Sequence, residues 1–441
     1  MSLVAALGAV QTLPFAHTGW WLLQLLCITV LAQRVLIASV RRAAALGLAF
    51  GTAWLAAGVW WLFISLHRYG NLPAWMAALA VLTLALALST YLALAMAAAA
   101  HWRDGSLLRD TVCFSAAWLL AELARTWLFT GFPWLASGYA QVDSPLAVLA
   151  PWVGVLGIGA VLAAIAVLWS QAASHRVAAA ASVAALAVAA WAGPPSFSRP
   201  GATLNVSLLQ TNVPQDEKFV IEQLPNTLRA LAADLATARG QLVIAPETAV
   251  PLLPSQLDEV APGYMAALFE RFGAPGRAAI IGVALGDYDR GYSNSVVGLT
   301  SAPSGQALYR YDKQHLVPFG EFIPTGFRWF TTLLNIPLGD FMRGVRNPPS
   351  FAFAGERIAP TICYEDLYGD ELALRFADEA SAPTLFANLS NIGWFGDTIA
   401  IAQHLNISRM RTLEFQRPML RATNTGATAI IDHRGQVVAG L

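Results

Sequence analysis

Residues 73–100 read PAWMAALAVLTLALALSTYLALAMAAAA, an apolar run without Asp, Glu, Lys or Arg. About 20 apolar residues are enough for a helix to cross the hydrocarbon core of a bilayer. Similar runs fill the first part of the chain, at 20–38, 43–66, 107–129, 147–170 and 177–193, with a shorter one at 2–16. The run 2–16 lacks the positive start and small-residue cleavage site of a signal peptide. We therefore predict about seven spans in an α-helical membrane domain over residues 1–193.

Charged residues are divided unevenly along the chain. They make up 12% of it, against roughly one quarter in soluble domains. Only 12 of the 54 lie between Met1 and Gly193, which leaves 42 for the remaining 248 residues. The second part therefore has the composition of an ordinary folded domain. The net charge is zero and no basic tract occurs, which argues against nucleic acid as a partner.

The arginines of the loops predict the orientation. With the N-terminus inside, only Arg68 lies in a short outer loop. The cytoplasmic loops then hold Arg34, Arg41, Arg42, Arg103, Arg109 and Arg176. Positive residues are enriched on the cytoplasmic side of membrane proteins. After seven spans, everything beyond Gly193 lies outside the cytoplasm. A Pro- and Gly-rich linker is predicted over 194–202.

Glu122 and Arg125 are two charges within a predicted span, three residues apart on one helical face. Charges inside a membrane are usually paired or functional. We interpret them as a structural ion pair near the outer interface, with contact to a substrate as the alternative.

From Thr203 onward, short β-rich runs alternate with helical ones, which is typical of a layered α/β domain. The predicted strands are 203–210, 241–245, 278–284, 293–299, 307–311, 357–362, 383–387, 419–423 and 427–431. The predicted helices are 222–238, 257–272, 366–378 and 398–416. Glu247, Lys313 and Cys363 each follow a predicted strand, where reactive residues of such domains gather.

Each of these three residues also has an ordinary interpretation. Glu247 is explained equally by a helix cap or a surface charge, and Cys363 by packing. Cys27 and Cys113 lie in apolar spans, so no disulfide framework and no metal site is indicated. Lys313 is more informative, because the chain has 25 Arg but only two Lys, and the two side chains differ in shape and hydration. Together the three supply a nucleophile, a base and a cation for an oxyanion.

Several motifs carry a resemblance to a known family. They are Ala245-Pro246-Glu247-Thr248, the block from Tyr311-Asp312-Lys313 to Pro318-Phe319-Gly320-Glu321-Phe322-Ile323-Pro324, and Ile362-Cys363-Tyr364-Glu365. They resemble the Glu-Lys-Cys motifs of the nitrilase superfamily. The block 313–324 and the membrane-domain motif Thr130-Gly131-Phe132-Pro133-Trp134 are more specific, and they resemble the apolipoprotein N-acyltransferase family. The segments 210–215, 391–396 and 417–424 are similar to the same family. The resemblance implies an αββα layered sandwich over residues 203–441.

The sequence departs from the family pattern at two places. Ile392 stands where the family usually has Asp, beside Trp394 and Phe395. The chain ends at Leu441, so we expect it to lack the final strands and the C-terminal membrane helix of the family.

The resemblance implies a mechanism and its residues. Glu247 would take the proton of Cys363, whose thiolate would attack a phospholipid ester, and Lys313 would stabilise the oxyanion. An apolipoprotein's N-terminal amine would then receive the acyl chain from the thioester. Glu321 would hold Lys313 in place, and the pocket would be shaped by Tyr364, Glu365, Trp394 and Phe395. The resemblance implies a monomer in the bacterial inner membrane, with neither metal nor organic cofactor.

An apolar loop, 326–338, is expected to act as a lid that dips into the outer leaflet, with a buried connection as the alternative. A rival function is that of a membrane-tethered nitrilase or amidase, in which water attacks the thioester. A second rival, from a different class, is a non-catalytic lipid-binding protein.

Overall fold

The computed structural model describes residues 1–301, 308–326 and 340–441, and the chain folds as two units. The first contains Met1–Ser196 together with Thr398–Glu414, and the second contains Phe197–Asp397 together with Phe415–Leu441. The division near Ser196 falls inside the predicted linker. The segment Thr398–Glu414 belongs with the first unit, although it lies within the predicted domain 203–441. From residue 327 onward, the predicted lid lies outside the described residues.

The first unit is built from apolar helices. They are α1 (Ser2–Val10), α2 (Leu13–Ala16), α3 (Trp21–Leu36), α4 (Val40–Gly58), α5 (Leu62–Ile64), α6 (Ala74–Trp102), α7 (Leu107–Trp127), α8 (Ala150–Ser170) and α9 (Arg176–Ala192). Pro73 directly precedes α6, and Ser106 Oγ accepts the Arg109 N–H at the start of α7 (3.4 Å). Both are residues that commonly begin helices.

Length and apolarity would let several of these helices cross a membrane. Among the described residues, Thr18–Leu36, Ala74–Trp102, Leu107–Thr130 and Pro145–Ser170 qualify as four single helices. The pair Val40–Gly58 and Leu62–Tyr69 is bent by 62° and brings the number to five if it is one span. The apolar helices Ser2–Ala16 and Arg176–Ala192 are shorter. Seven spans therefore stay a prediction, because the first and last helices are shorter than the helices that qualify.

Glu122 and Arg125 form the predicted ion pair. Arg125 Nη2 lies 3.5 Å from Glu122 Oε1, and both side chains are buried. Ser137 donates to the same carboxylate oxygen from its N–H and its hydroxyl, each at 2.7 Å. The guanidinium also donates to the Leu135 carbonyl (3.0 Å) and lies over the Trp54 ring. The predicted ion pair is confirmed, whereas its position near the outer interface and the alternative of contact with a substrate stay predictions.

The second unit contains two sheets. The first has the order β1 (Val206–Leu208), β2 (Leu242–Ile244), β3 (Ala278–Asp287), β4 (Gly291–Thr300) and β5 (Tyr309–Asp312). The second has the order β11 (Val437–Gly440), β10 (Ala429–Ile431), β9 (Met419–Thr423), β8 (Leu385–Ser390), β7 (Glu356–Ile362) and β6 (Phe351–Phe353). In each sheet three neighbouring strands are parallel, namely β1–β3 and β7–β9, and the other pairs are antiparallel.

The two sheets pack face to face. Successive side chains of a strand point to opposite faces of its sheet, so alternate residues of a strand face the other sheet. On β2, Leu242 and Ile244 pack in one cluster with residues of the second sheet such as Ile358 and Leu420. Val243 instead packs on the opposite face against helix α10 (Leu224–Thr237) and helix α12 (Tyr264–Phe272). Helix α11 (Pro254–Val260) lies between these two helices in sequence. The predicted layered α/β fold is confirmed.

The predicted elements differ from the observed ones in four places. The helix predicted at 257–272 is two helices, broken where Gly263 adopts a left-handed φ of 74°. The helix predicted at 366–378 contains only the short helix α13 (Gly369–Ala373) and a 3-10 turn. Strands β6 and β11 were not expected. Each has only three or four residues, too few for a period-two pattern to be recognised.

Helix α14 (Ile399–Phe415) packs within the first unit through polar side chains. Gln403 Oε1 accepts from the indoles of Trp61 (3.0 Å) and Trp134 (2.8 Å), and its amide donates to the Gly58 carbonyl (3.0 Å). Arg409 pairs with Asp143. Hydrogen bonds to the described part of the first unit therefore hold this helix and satisfy the buried Gln403 side chain.

Candidate active site

The second unit brings together the three residues that follow strands in the sequence. Glu247 lies beyond β2, Lys313 directly after β5 and Cys363 directly after β7. Lys313 Nζ is 3.6 Å from Glu247 Oε1, and the Cys363 side chain interacts electrostatically with both. Lys313 is 1% exposed and Glu247 7%. A buried cation thus stands beside a buried carboxylate and a thiol.

Glu321 is the closest partner of Lys313. Both of its carboxylate oxygens lie 2.9 Å from Lys313 Nζ, and the Val317 N–H donates to Oε2 at 2.9 Å. Burial alone would lower the pKa of Lys313, but the carboxylates of Glu321 and Glu247 outweigh it and raise the pKa above its ordinary value. Lys313 is therefore charged at neutral pH.

Asn294 joins the two carboxylates. Its Nδ2 atom donates to Glu247 Oε1 and to Glu321 Oε1, both at 2.8 Å. Neither oxygen can turn away without loss of a buried hydrogen bond. The sequence did not single out this residue. The only sign of Asn294 in the sequence was its polar amide side chain, which lies in a predicted strand whose later residues are apolar.

Cys363 has an unusual backbone conformation. Its φ is +51°, a left-handed value that non-glycine residues rarely adopt and that is often found at functional sites. The Asn388 amide donates to the Cys363 carbonyl at 3.2 Å. Arg421 donates in turn to the Asn388 side chain at 3.0 Å. The second sheet therefore fixes the turn that carries the thiol.

The surroundings keep the thiol protonated. Burial, reinforced by the charge of Glu247, raises the pKa of Cys363 far above its ordinary value, although Lys313 and the Asn391 N–H act in the opposite direction. The same Asn391 N–H donates to Glu247 Oε2 at 2.8 Å. At neutral pH the thiol form therefore predominates over the thiolate. Asn391 begins the segment 391–396 that resembles the family, but the sequence itself predicted no role for it.

Glu365 holds the site together through protein groups. Its Oε2 accepts from the Tyr311 hydroxyl and the Ile362 N–H, and its Oε1 from the Gln314 N–H, all at 2.6 Å. These donors come from the ends of β5 and β7. Glu365 thus links the segment of Lys313 to that of Cys363, and these contacts favour a positioning role over direct contact with a substrate.

The predicted pocket residues beside the motifs differ in their burial. Tyr364 is buried, and its hydroxyl accepts from Tyr368 at 2.9 Å. Trp394 is 36% exposed, with its ring centre 6.5 Å from that of Phe219. Ile392 is buried, whereas Phe395 is partly buried. Their contact with a substrate stays a prediction.

Comparison with known families agrees with both parts of the chain. Residues 7–168 match the apolipoprotein N-acyltransferase N-terminal domain, and residues 205–441 match the carbon-nitrogen hydrolase domain. The gap between the two matched ranges contains the predicted linker.

Full-length relatives give the same result. The chain is 52% identical to an apolipoprotein N-acyltransferase of Verminephrobacter eiseniae, over 99% of this chain and 85% of that protein. It is 46% identical to one of Ralstonia nicotianae, over 100% of this chain and 84% of that protein. Among solved structures, an amidase from Nesterenkonia sp. covers 56% of this chain and 88% of its own, with 15% identity and a TM-score of 0.38. The chain belongs to the apolipoprotein N-acyltransferase family.

Proposed function

We propose that this protein transfers an acyl chain from a phospholipid to the α-amino group of an apolipoprotein's N-terminal diacylglyceryl-cysteine, through a thioester on Cys363. The single observation that carries the proposal is the buried cluster in which Lys313 Nζ lies 3.6 Å from Glu247 Oε1 and the Cys363 side chain interacts electrostatically with both residues. The Asn391 N–H donates to the Glu247 carboxylate at 2.8 Å and acts to lower the pKa of the Cys363 thiol. A base is thereby held next to a protonated nucleophile, which is the arrangement that covalent catalysis requires.

The first half-reaction forms the thioester. The Cys363 sulfur attacks the ester carbonyl of the phospholipid while its proton passes to Glu247. Lys313, held at 2.9 Å by Glu321, supplies the positive charge for the tetrahedral oxyanion. When the intermediate collapses, the carbon–oxygen bond breaks and Glu247 returns the proton to the departing lysophospholipid hydroxyl.

The second half-reaction forms the amide. The neutral α-amine of the acceptor attacks the thioester carbonyl, and Glu247 accepts the proton that the nitrogen loses. The carbon–sulfur bond breaks, and the Cys363 thiolate regains the proton from Glu247. Two successive substrates at one centre imply ping-pong kinetics. Each step balances without an oxidant, a reductant or a metal.

The apolar helices of the first unit support lipid substrates over the small amides of a hydrolase. We infer a location in the bacterial inner membrane, with the second unit on the periplasmic side. The support for this orientation is the arginine asymmetry of the loops, six against one.

Intact-mass analysis separates the proposal from its rivals. Purified protein in detergent is incubated with a phospholipid of defined acyl chains, and then with a diacylglyceryl lipopeptide. We expect an acyl adduct that is stable until the lipopeptide arrives. Loss of the adduct to water without an acceptor would indicate a hydrolase. A failure to form any adduct would indicate a non-catalytic lipid-binding protein.

A further inference from the structure

Lys218 is a buried charge that the mechanism above does not use. It is one of only two lysines among 27 basic residues in the chain, and it is 3% exposed. Lysine is rarely buried to this extent without a partner. Its Nζ atom donates to the main-chain carbonyl of Glu247 at 3.0 Å. One of the two lysines thus faces the Glu247 side chain, and the other holds its backbone.

The segment around Lys218 is fastened to the loop of Asn391. The Val213 N–H donates to Asn424 Oδ1 (3.0 Å), and Asn424 Nδ2 donates back to the Val213 carbonyl (2.9 Å). The Asn391 amide donates to Gln215 Oε1 at 2.8 Å. The segment of Lys218 is therefore tied to Asn391, whose N–H donates to the Glu247 carboxylate.

The backbone at Glu247 needs such support. The next residue, Thr248, has a φ of +50°, which an L-residue adopts at some cost. Gly282 approaches from the neighbouring strand, where an added Cβ would lie 2.3 Å from the Pro246 carbonyl. A donor at the Glu247 carbonyl restricts this tight turn and therefore the direction in which the carboxylate points.

Two opposing effects act on the pKa of Lys218. Burial lowers its pKa to about 8, although the negative charge of Glu247, and that of Cys363 when the thiol is ionised, act in the opposite direction. Asp234 lines the same small cavity, and Asp216 and Glu217 precede Lys218 in its own segment. Lys313 lies on the other side of Glu247.

We infer that Lys218 is a positioning residue for acyl transfer, in which its ammonium group holds the Glu247 turn and adds a second positive charge beside the Glu247–Cys363 pair. The inference rests on the proposed thioester mechanism. The ammonium form is the active form, so its contribution is complete well below pH 8, is halved at about pH 8 where Lys218 titrates, and is lost as the pH rises further.

The test measures the rate of acyl-enzyme formation against pH for wild type, Lys218→Met and Lys218→Arg, with the exposed Arg229→Met as the control. We expect Lys218→Met to slow acylation by ~10–100-fold, the range for loss of a hydrogen bond to a charged donor, with half-saturation by phospholipid changed less than ~3-fold. The wild-type rate should fall above about pH 8. This decline should be absent in Lys218→Met and shifted to higher pH in Lys218→Arg.

The outcomes are distinguishable. Wild-type rates in Lys218→Met, or a slowed variant that keeps the wild-type alkaline decline, would overturn the role of Lys218 alone. The absence of any adduct in the wild type would overturn both the thioester mechanism and this inference. If Lys218→Met does not fold, as judged by circular dichroism, the pH shift in Lys218→Arg decides, and an unshifted decline overturns the inference.

Discussion

Cys363 combines a protonated thiol with a left-handed backbone. Burial and Glu247 keep its pKa far above the ordinary range, so thiolate is scarce at neutral pH. The +51° φ holds the side chain in the turn after β7. A thiol in this state depends on a base in contact with it, and the Asn391 N–H aligns the Glu247 carboxylate for that task.

Replacement of Glu247 by Gln tests this dependence. The amide keeps the size of the side chain but cannot accept the proton, so acylation should slow by ~10²–10⁴-fold. Because the pKa of Cys363 is raised, residual acylation should increase with pH through the neutral range, as hydroxide forms thiolate without help, until Lys218 loses its proton near pH 8. Single-turnover acylation followed by mass spectrometry measures both effects. A pH-independent residual rate would contradict the assigned role.

Replacement of Lys313 by Arg tests the shape of the cation. Lys313 is almost fully buried between the carboxylates of Glu247 and Glu321, and the wider guanidinium places its charge elsewhere. We expect Lys313→Arg to lose nearly as much acylation as Lys313→Ala, ~10²–10³-fold, the usual effect of losing one oxyanion donor. Near-normal acylation in the Arg variant would show that any cation is sufficient.

At the scale of elements, helix α14 contributes polar contacts inside the first unit. The two indole N–H groups of Trp61 and Trp134 share the single oxygen of Gln403 as acceptor. The helix carries buried Arg, Asn and Gln on several sides, so no apolar stripe predicts where it packs. Such a helix is held by specific hydrogen bonds rather than by apolar area alone.

Gln403→Leu should therefore destabilise the protein. The Trp134 indole would lose Gln403 Oε1 as an acceptor, at a cost of about 1–3 kcal/mol, whereas the Trp61 indole keeps the Gly58 carbonyl at 3.0 Å. Thermal unfolding in detergent should show a lower Tm for Gln403→Leu than for wild type. An unchanged Tm in Gln403→Leu would show that the hydrogen bonds of Gln403 do not stabilise the protein.

At the scale of the whole molecule, the sequence predicted the two-part organisation and the fold of the second unit. The strand-end positions of Glu247, Lys313 and Cys363 could be predicted because local patterns of apolar and polar residues mark where strands end. Asn294, Asn391 and Lys218 could not be found in this way, because their roles depend on contacts with residues distant in sequence. The same reason applies to α14, whose partners lie more than 200 residues earlier in the chain.

The orientation of the chain is tested by labelling. Ser174 lies in a predicted cytoplasmic loop and Arg434 in the second unit, and both are exposed. In spheroplasts, a membrane-impermeant maleimide should label Arg434→Cys at once and Ser174→Cys only after permeabilisation, with wild type as the control for the native cysteines. The reverse pattern would contradict both the orientation and the periplasmic location.

The thioester on Cys363 is the central claim, and single-turnover transfer from isolated acyl-enzyme tests it most directly. Protein acylated by phospholipid is freed of lipid, mapped by peptide mass spectrometry and mixed with a diacylglyceryl lipopeptide. The account predicts that the acyl group is on the Cys363 peptide, that it moves to the lipopeptide amine, and that folded Cys363→Ala forms no adduct. Acylation of the lipopeptide by folded Cys363→Ala would contradict the account.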